Sequence, residues 1–300
     1  MSERKPIVVC GVGLKGVTFV DGILQRGAAI DSIVSYPQRD DAERSFDRLR
    51  DIAARASISF QETRHPALAP EGLTFLIGWQ YLLADVPPST VVMHDSLLPR
   101  YRGFAPTATA LIKGEREIGV TAFVPTGTVD EGPIIARRAI PITYPMKIRT
   151  ALELQAAAMA DMAIGIIDQW RRGLLSAIPQ LHDLATFSIW RDEADYEIDW
   201  TASAEAIRRF VDALGHPYAG ARTSVGGNET IRLTEVNVLP DTRFEIRDAG
   251  KVWTLDEGRP IVLCGEGMLR IDECCREDGS SYSFDRIRIR LGPVATKDLR

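Results

Sequence analysis

Short β-branched runs that end at a turn signal and alternate with helical stretches are the feature that most constrains this 300-residue chain. The first run, residues 6–10, enters Gly11-Val12-Gly13 and an expected helix at about residues 15–26. Similar runs follow at 30–35, 73–78 and 90–94, with a charged helix expected at about 40–56. Strands that alternate with helices predict an α/β domain, a Rossmann-like doubly wound and mostly parallel sheet.

The second part of the chain has a different pattern. An Ala-rich helix is expected from residue 150 to 170, and residues 174–200 mix Pro, His and charges as linkers do. A helix at 201–214 and many short alternating segments then predict a smaller β-rich, OB-like C-terminal domain. We therefore expect one domain in residues 1–185 and a second in residues 186–300.

The charge balance bears on possible partners. The chain has 36 Lys and Arg against 41 Asp and Glu, a net charge of -5. Residues 1–185 are neutral overall, whereas residues 186–300 carry 16 basic and 21 acidic side chains. Because nucleic-acid binding requires a basic surface, we expect no nucleic-acid partner.

The cysteines and the apolar runs bear on the compartment. Cys10, Cys264, Cys274 and Cys275 have neither a metal-ligand spacing nor the pattern of a disulfide framework, so we expect reduced thiols and no metal site. The N-terminus lacks the apolar stretch of a signal peptide, and no uncharged apolar run approaches the about 18 residues of a membrane helix. We expect a cytoplasmic protein with no membrane partner.

A glycine-rich turn follows the first predicted strand. Gly11, Gly13 and Gly16 have the spacing of a dinucleotide-binding turn. That fingerprint requires an acidic residue about 20 residues later, where this chain has Ser32-Ile-Val-Ser-Tyr36. A tight structural turn, or one that binds another phosphate, is therefore favoured over a nicotinamide cofactor. An NAD-binding enzyme of the Rossmann type stays the alternative from a different class.

Two polar segments follow predicted strands. His94 ends an apolar run and precedes a loop rich in Pro and Gly, and Gly127–Gly132 contains Asp130 and Glu131 between two apolar runs. The carboxyl ends of strands in open α/β sheets are where ligands bind. Taken alone, the histidine is more typical of a structural residue and the acidic loop of a solvated turn.

Together, these segments resemble the folate-dependent formyltransferases. Residues 94–103 read His-Asp-Ser-Leu-Leu-Pro-Arg-Tyr-Arg-Gly and match the family's His-x-Ser-Leu-Leu-Pro-x-Tyr-Arg-Gly. The family's Gly-x-x-Asp-x-Gly-x-Ile is matched by Gly127, Asp130, Gly132 and Ile134. The resemblance covers most of the chain and continues through residues 111–115, 118–121, 198–200, 204–207 and 216–221, of which the last three are similar to the C-terminal domain of methionyl-tRNA and amino-sugar formyltransferases.

The resemblance implies formyl transfer from 10-formyltetrahydrofolate to an amine, with no metal. It implies that His94 lies beside the formyl group, and that Asp130 orients His94 and takes up charge from the amine. The implied folate-binding residues are Ile77, Gly78, Trp79, Gln80, Tyr81, Leu82, Thr126, Gly127, Thr128, Val129 and Asp130. The implied acceptor-binding residues are Lys15, Ser96, Arg102, Gly103 and Phe104. Trp79 and Tyr81 are equally well explained as core aromatics.

One position departs from the family pattern. The family has an Asn two positions before the histidine, where it helps to hold the formyl oxygen, and this chain has Val92. Loss of one such donor typically costs about 3 kcal/mol of transition-state stabilisation. Either Gln80, His94 or a backbone N–H substitutes for it, or the activity is altered.

The acceptor is left open among several amines. The variant His-Asp-Ser-Leu-Leu-Pro at residues 94–99, with Phe104 after the Gly, resembles amino-sugar formyltransferases of the pseudaminic-acid type. We expect an amino sugar linked to a nucleotide, because the acidic C-terminal part disfavours methionyl-tRNA. Hydroxyornithine formyltransferases and a catalytically depleted folate-binding relative stay alternatives, while the relative that acts on glycinamide ribonucleotide lacks the C-terminal domain. A homodimer is expected by analogy with the family.

Overall fold

The computed structural model describes residues 5–39, 41–68, 70–83 and 86–293, which form two compact units. The first unit contains the described residues up to Thr107 together with Glu117–Ile142 and Thr150–Ile189. The second contains Ala108–Arg116, Thr143–Arg149 and the described residues from Trp190 onwards. Two segments from the first half of the sequence thus group with the second unit, and the boundary between residues 185 and 186 stays a prediction.

The elements up to residue 189 include the predicted strands and helices, but the strands between residues 59 and 103 follow one another with no helix between them in the described part of the chain. In chain order they are β1 (Ile7–Gly11), α1 (Gly13–Gln25), β2 (Ser32–Ser35), α2 (Ser45–Ala56), β3 (Ser59–Glu62), β4 (Leu73–Ile77), β5 (Thr90–His94), β6 (Arg102–Gly103), α3 (Pro106–Lys113), β7 (Glu117–Phe123), β8 (Ile134–Pro141), α4 (Ile148–Arg171), a 3-10 turn (His182–Leu184) and β9 (Phe187–Ser188).

The central sheet of the first unit is mixed and mostly parallel, which confirms the predicted fold class. Its strand order is β3-β2-β1-β4-β5-β7-β8, with parallel pairing from β3 to β5 and antiparallel pairing of β7 with β5 and β8. The chain adds strands first on one side of β1 and then on the other. Such a switch point opens a crevice at the carboxyl ends of the strands, which is where His94 ends β5.

The core of this unit lies between the sheet and its helices. Val9 and Phe75 of neighbouring strands are in register and fully buried, and they belong to one cluster with residues of α1, α2 and α4. A Cβ atom on Gly16 of α1 would lie 2.9 Å from the backbone of Gly11 in β1. This close approach of helix to strand accounts for two glycines of the dinucleotide-like spacing.

One helix boundary differs clearly from the expectation. The helix predicted from about residue 40 begins at Ser45, because Arg44 before it has the left-handed backbone conformation at φ 50°. The N–H of Phe46 donates to the Asp41 carboxylate at 3.0 Å, so an aspartate before the helix satisfies a first-turn donor. The prediction missed this start since Arg44 is not a residue that signals a left-handed turn.

Helix α4 has the length and apolar composition of a membrane-spanning helix. Of its most apolar window, 56% is buried inside the protein, and Ala156, Met159 and Ala163 are fully buried. The core helix of a folded domain has the same properties, so this composition makes no membrane assignment.

The second unit contains a six-stranded sheet in its described part, in the order β12-β13-β14-β11-β10-β15 and antiparallel throughout. Its helix begins as predicted, because Ser203 accepts the N–H of Ala206 at 3.2 Å as an N-cap. The β-rich character expected here is confirmed. The elements are a 3-10 turn (Glu193–Tyr196), α5 (Ala204–Leu214), β10 (Ala221–Val225), β11 (Glu229–Leu239), β12 (Val252–Asp256), β13 (Arg259–Leu263), β14 (Met268–Arg276) and β15 (Leu291–Gly292).

All four cysteines lie in the described residues and are free thiols, as expected. Burial raises the pKa of Cys10 and of Cys264 to about 12, so both are held as neutral thiols.

Candidate active site

His94 and Asp130, predicted from two separate motifs, lie side by side in the structure. His94 is buried, and its Nδ1 lies 3.6 Å from Oδ2 of Asp130. Its other nitrogen, Nε2, lies 2.9 Å from the carbonyl oxygen of Tyr101. Because a carbonyl oxygen only accepts, Nε2 donates there, and Nδ1 is the nitrogen left for chemistry. The catalytic role of the pair stays a prediction.

Asp130 has an unusual backbone conformation and a hydrogen-bonded carboxylate. It lies in the loop between β7 and β8 with a left-handed backbone at φ 55°, a conformation that Asp adopts more readily than most residues. Its Oδ2 accepts the backbone N–H of Gly103 at 2.7 Å. The carboxylate therefore contacts the loop that follows the His94 strand.

The backbone at Gly103 has no room for a side chain. Its φ is 97°, and a Cβ atom would lie 2.4 Å from the carbonyl oxygen of Ser188. On either side of it, Arg102 N–H donates to Thr186 O at 2.9 Å and Phe104 N–H donates to Ser188 O at 3.1 Å. These bonds attach the site loop to β9, in a segment that the sequence pattern indicated as a linker.

Arg102 does not have the place expected of an acceptor-binding cation. It is 2% exposed, and its Nη1 forms an ion pair with Glu131 at 3.0 Å. Its Nε and Nη2 donate to Oε1 of Gln180 at 3.3 and 2.7 Å, and Nη2 lies 3.2 Å from Nδ1 of His182. This guanidinium is engaged within the protein, and contact of Arg102 with an acceptor stays a prediction. Gln180 and Glu131 are the contacts that sequence reasoning missed.

Lys15 also has a protein partner that the sequence analysis did not name. Its Nζ lies 2.8 Å from Oδ1 of Asp95, whose Oδ2 accepts the Thr107 hydroxyl at 2.7 Å. Burial of the Asp95 carboxyl raises its pKa, but the charges of Lys15 and His94 and the hydrogen bonds from Lys15 and Thr107 outweigh this effect and lower the pKa to about 2. Asp95 is thus a buried anion beside His94. Contact of Lys15 with an acceptor stays a prediction.

The remaining acceptor residues differ in accessibility. Ser96 is 4% exposed and its hydroxyl donates to Arg100 O at 2.7 Å, so it stabilises the turn after β5, and its contact with an acceptor stays a prediction. Phe104 is 52% exposed, so its ring is accessible to a ligand.

The expected folate loop after β4 is partly core and partly open. Ile77 is fully buried, and its carbonyl oxygen accepts the N–H of Val12 at 3.1 Å, while a role of this residue in folate binding stays a prediction. Leu82 is 76% exposed, and Gln80 is also exposed. Gly78 lies at the turn between the buried and the open part, with φ 64°. The residues of the second expected folate loop are exposed as well, namely Thr126, Gly127, Thr128 and Val129.

Trp79 and Tyr81 form an aromatic cluster with Tyr36. Each lies edge-on to the Tyr36 ring, with centroids 5.1 Å apart, and the Arg64 guanidinium lies over Tyr36 and Tyr81. Burial, with a contribution from Tyr81, raises the pKa of Tyr36 to about 12. The two aromatics therefore pack against Tyr36 while both stay partly exposed, and contact of either with folate stays a prediction. The buried Nε1 of Trp79 has no hydrogen-bond partner in the described part of the chain.

Val92 is a packing residue at the position of the family's Asn. It is partly buried in β5, in register with Leu76 of β4 and Phe123 of β7, and it packs on both apolar clusters that contain them. Two residues along a strand, His94 lies on the same face. Of the possible replacement donors, His94 has only Nδ1 available, since Nε2 is bonded to Tyr101.

Comparison with known proteins identifies the family. Residues 76–162 match the family described as formyl transferase, and residues 191–287 match formyl transferase, C-terminal domain. The methionyl-tRNA formyltransferase of Roseiflexus sp. (strain RS-1) is 32% identical over 228 residues, which are 74% of this chain and 66% of that protein. The methionyl-tRNA formyltransferase of Methylobacillus flagellatus is 32% identical over 235 residues, 75% of this chain and 70% of that protein.

A solved structure shares the fold over both units. The crystal structure of WlaRD, a sugar 3N-formyl transferase in the presence of dTDP and 5-N-formyl-THF, superposes with a TM-score of 0.67 at 13% identity. The match covers 95% of this chain and 100% of that one. With both family descriptions matched and curated relatives at 32% identity, this chain belongs to the formyl transferase family.

Proposed function

We propose that this protein transfers the formyl group of 10-formyltetrahydrofolate to the primary amine of an amino sugar linked to a nucleotide. The observation that carries the proposal is the buried His94–Asp130 pair, with Nδ1 facing the carboxylate at 3.6 Å, in a member of this family. Amide formation from an amine requires removal of protons from nitrogen and stabilisation of charge on oxygen, and these groups suit both tasks.

The loops around the pair fit a folate donor. A pterin requires a largely apolar slot with a few hydrogen-bonding groups, and the loop at residues 78–82 offers Leu82 together with the unpartnered indole N–H of Trp79. The loop at residues 126–130 is exposed at 126–129, ends in Asp130 and would close the other side. The donor supplies an activated formyl carbon to this site.

Proton transfer is the task of His94 and Asp130. The Asp130 carboxylate lies beside Nδ1 of His94, so the proton lost by the attacking ammonium group has an anionic acceptor next to a basic nitrogen. His94 then has one nitrogen, Nδ1, with which to return a proton to the leaving nitrogen. Nε2 keeps the ring oriented through Tyr101.

Stabilisation of the formyl oxygen falls to fewer donors than the family provides. The Val92 side chain has no hydrogen-bonding group, so Gln80, a protonated Nδ1 of His94 or a backbone N–H would have to donate. We expect a slower chemical step than a site with the family's Asn would have.

The choice of an amino sugar rests on two kinds of support. The structure of WlaRD, a sugar 3N-formyl transferase, superposes on 95% of this chain. In addition, residues 186–300 carry 16 basic and 21 acidic side chains, which disfavours a polyanionic tRNA. The identity of 32% to methionyl-tRNA formyltransferases makes methionyl-tRNA the second candidate.

The test is release of tetrahydrofolate from 10-formyltetrahydrofolate in the presence of nucleotide-linked amino sugars, methionyl-tRNA or hydroxyornithine, each assayed separately. Saturable turnover with an amino sugar is the expected result, and the His94→Ala variant should lose it. Turnover with methionyl-tRNA alone would replace the amino sugar by the second candidate. Donor binding without turnover on any acceptor would overturn the transferase function.

A further inference from the structure

A buried amide outside both sequence motifs joins the two loops of the site. Gln180 is 5% exposed, and its Nε2 donates to the carbonyl oxygens of Asp130 at 2.8 Å and of Gly132 at 2.7 Å. Its Oε1 accepts Nε and Nη2 of Arg102. Both donors and the acceptor oxygen of this side chain are thereby used, on residues 48 to 78 positions away.

Two of the three residues bonded to Gln180 bear on the Asp130 carboxylate. Asp130 has a left-handed backbone, a conformation that persists only where the surroundings determine it, and Gln180 holds its carbonyl oxygen. Arg102 directly precedes Gly103, whose N–H donates to the Asp130 carboxylate at 2.7 Å. The Gln180 amide therefore orients the Asp130 backbone and also Arg102, the residue that precedes the Gly103 donor.

We propose that Gln180 is a positioning residue for formyl transfer, which sets the place of the Asp130 carboxylate against Nδ1 of His94. The inference rests on the proposed function for its reaction. Gln180 acts through Asp130 and touches no reacting atom. Displacement of a reacting group by about 1 Å can cost about 100-fold in rate. A residue that touches no reacting atom can therefore control the rate of the chemical step through the position of Asp130.

Two variants separate the halves of the amide. Gln180→Leu removes all its hydrogen bonds, whereas Gln180→Glu keeps an acceptor for Arg102 and removes both donors to the Asp130 loop. The matched control is Thr223→Val in the second unit, because Thr223 is fully buried and its hydroxyl accepts Trp200 Nε1 at 3.0 Å and donates to Gly292 O at 3.0 Å. This control removes a buried hydrogen-bonding group that is not bonded to the site loops.

We expect both Gln180 variants to lower kcat about 10- to 100-fold with the KM of donor and acceptor little changed. Thr223→Val should lose thermal stability and keep kcat. In an Asp130→Ala background, Gln180→Leu should cause little further loss, because the two residues act as one unit. Full kcat in Gln180→Glu, or additive losses in the double variant, would overturn the inference.

A readout without substrate separates this inference from the proposed function. Hydrogen exchange of the Gly103 amide, which donates to Asp130, should be about tenfold faster or more in Gln180→Leu than in the unaltered protein, measured under conditions where both are folded. Unchanged exchange would overturn the positioning role even if no acceptor is found. Faster exchange in a protein without turnover would contradict only the proposed function.

Discussion

Nδ1 of His94 lies 3.6 Å from Oδ2 of Asp130, which is longer than a hydrogen bond. The other imidazole nitrogen, Nε2, is hydrogen-bonded to the carbonyl oxygen of Tyr101 at 2.9 Å. The Tyr101 carbonyl therefore holds the ring through Nε2, and orientation of the ring by Asp130 stays a prediction. This leaves Nδ1 and the Asp130 carboxylate as two adjacent groups that can exchange protons with an amine.

Replacement of the carboxylate should reduce the chemical step more than binding. Asp130→Asn keeps a residue that tolerates the left-handed backbone, yet it removes the negative charge. We expect kcat for formyl transfer to fall about 10²- to 10⁴-fold, as for loss of a general base, and a comparable loss in His94→Ala. Steady-state kinetics of tetrahydrofolate release measures both effects.

The control for these variants is Asp168→Asn. Asp168 is exposed on α4, where it pairs with Arg172 at 3.3 Å, and such surface pairs contribute little. The kcat of the Asp168→Asn variant should equal that of the unaltered protein. Near-normal turnover in both Asp130→Asn and His94→Ala would show that the roles assigned to this pair are wrong.

Val92→Asn tests whether the oxyanion site is merely depleted. The amide would lie on the His94 face of β5 among apolar side chains, so we expect a loss of about 1–3 kcal/mol in the free energy of unfolding. Turnover should rise or stay equal if the new amide reaches the formyl oxygen. Urea unfolding and kcat are measured on the same preparation, with Val92→Ala as the control for lost packing. A large fall in kcat in the folded Asn variant would mean that the pocket is built around an apolar residue.

Asp95 should make stability depend on pH in the acid range. Its folded-state pKa of about 2 lies below the reference value of 3.8, so its ionised form stabilises the fold above pH 4 and this contribution is lost as the pH falls towards about 2. The shift corresponds to about 2 kcal/mol. Urea unfolding at steps of pH in this window measures it. The Asp95→Asn variant should lose that part of the pH dependence, and an identical pH profile in both proteins would contradict the assignment.

Gly103→Ala should disrupt the site loop. A Cβ atom there would lie 2.4 Å from Ser188 O, on a backbone at φ 97°, and a strained residue of this kind costs about 1–3 kcal/mol before any clash. We expect lower thermal stability and a marked loss of kcat, because the Gly103 N–H is a donor to Asp130.

Gly165→Ala gives the matched comparison in the same unit. Gly165 lies inside α4, where an added methyl group would have no neighbour within 4 Å beyond its own helix, and Ala is favoured over Gly in a helix by about 1 kcal/mol. Stability should rise and kcat stay the same. If Gly103→Ala behaved like Gly165→Ala, the tight contact with Ser188 would not exist in solution.

Much of the site could be predicted because its chemistry is local in sequence. The run that ends at His94 forms β5, and the Gly and Asp pattern at 127–132 forms the loop that carries Asp130. Ser203 likewise caps α5 where the pattern indicated a helix start. Each of these predictions depends on neighbours along the chain, which the sequence shows directly.

The contacts that sequence reasoning missed are those made by distant segments. Arg102 has the sequence context of a surface cation beside a loop, but it bonds to Glu131 and Gln180, 29 and 78 positions away, and is buried. Ile77 has the context of a ligand loop, but it packs in the core beside β1. No local pattern indicates such partners, because an arginine has the same neighbours in sequence whether its guanidinium is solvated or paired.

The sequence by itself determined the strands at 7–11, 32–35, 73–77 and 90–94 with their helices, the β-rich second part, the family resemblance and the identity of the two groups proposed to react. The tertiary structure decided which nitrogen of His94 is available, which cations are already paired, and that a glutamine in an apparent linker holds the Asp130 loop. The physical reason is that periodicity and turn chemistry act over a few residues, whereas burial, ionisation and hydrogen-bond partners depend on segments that only folding brings together.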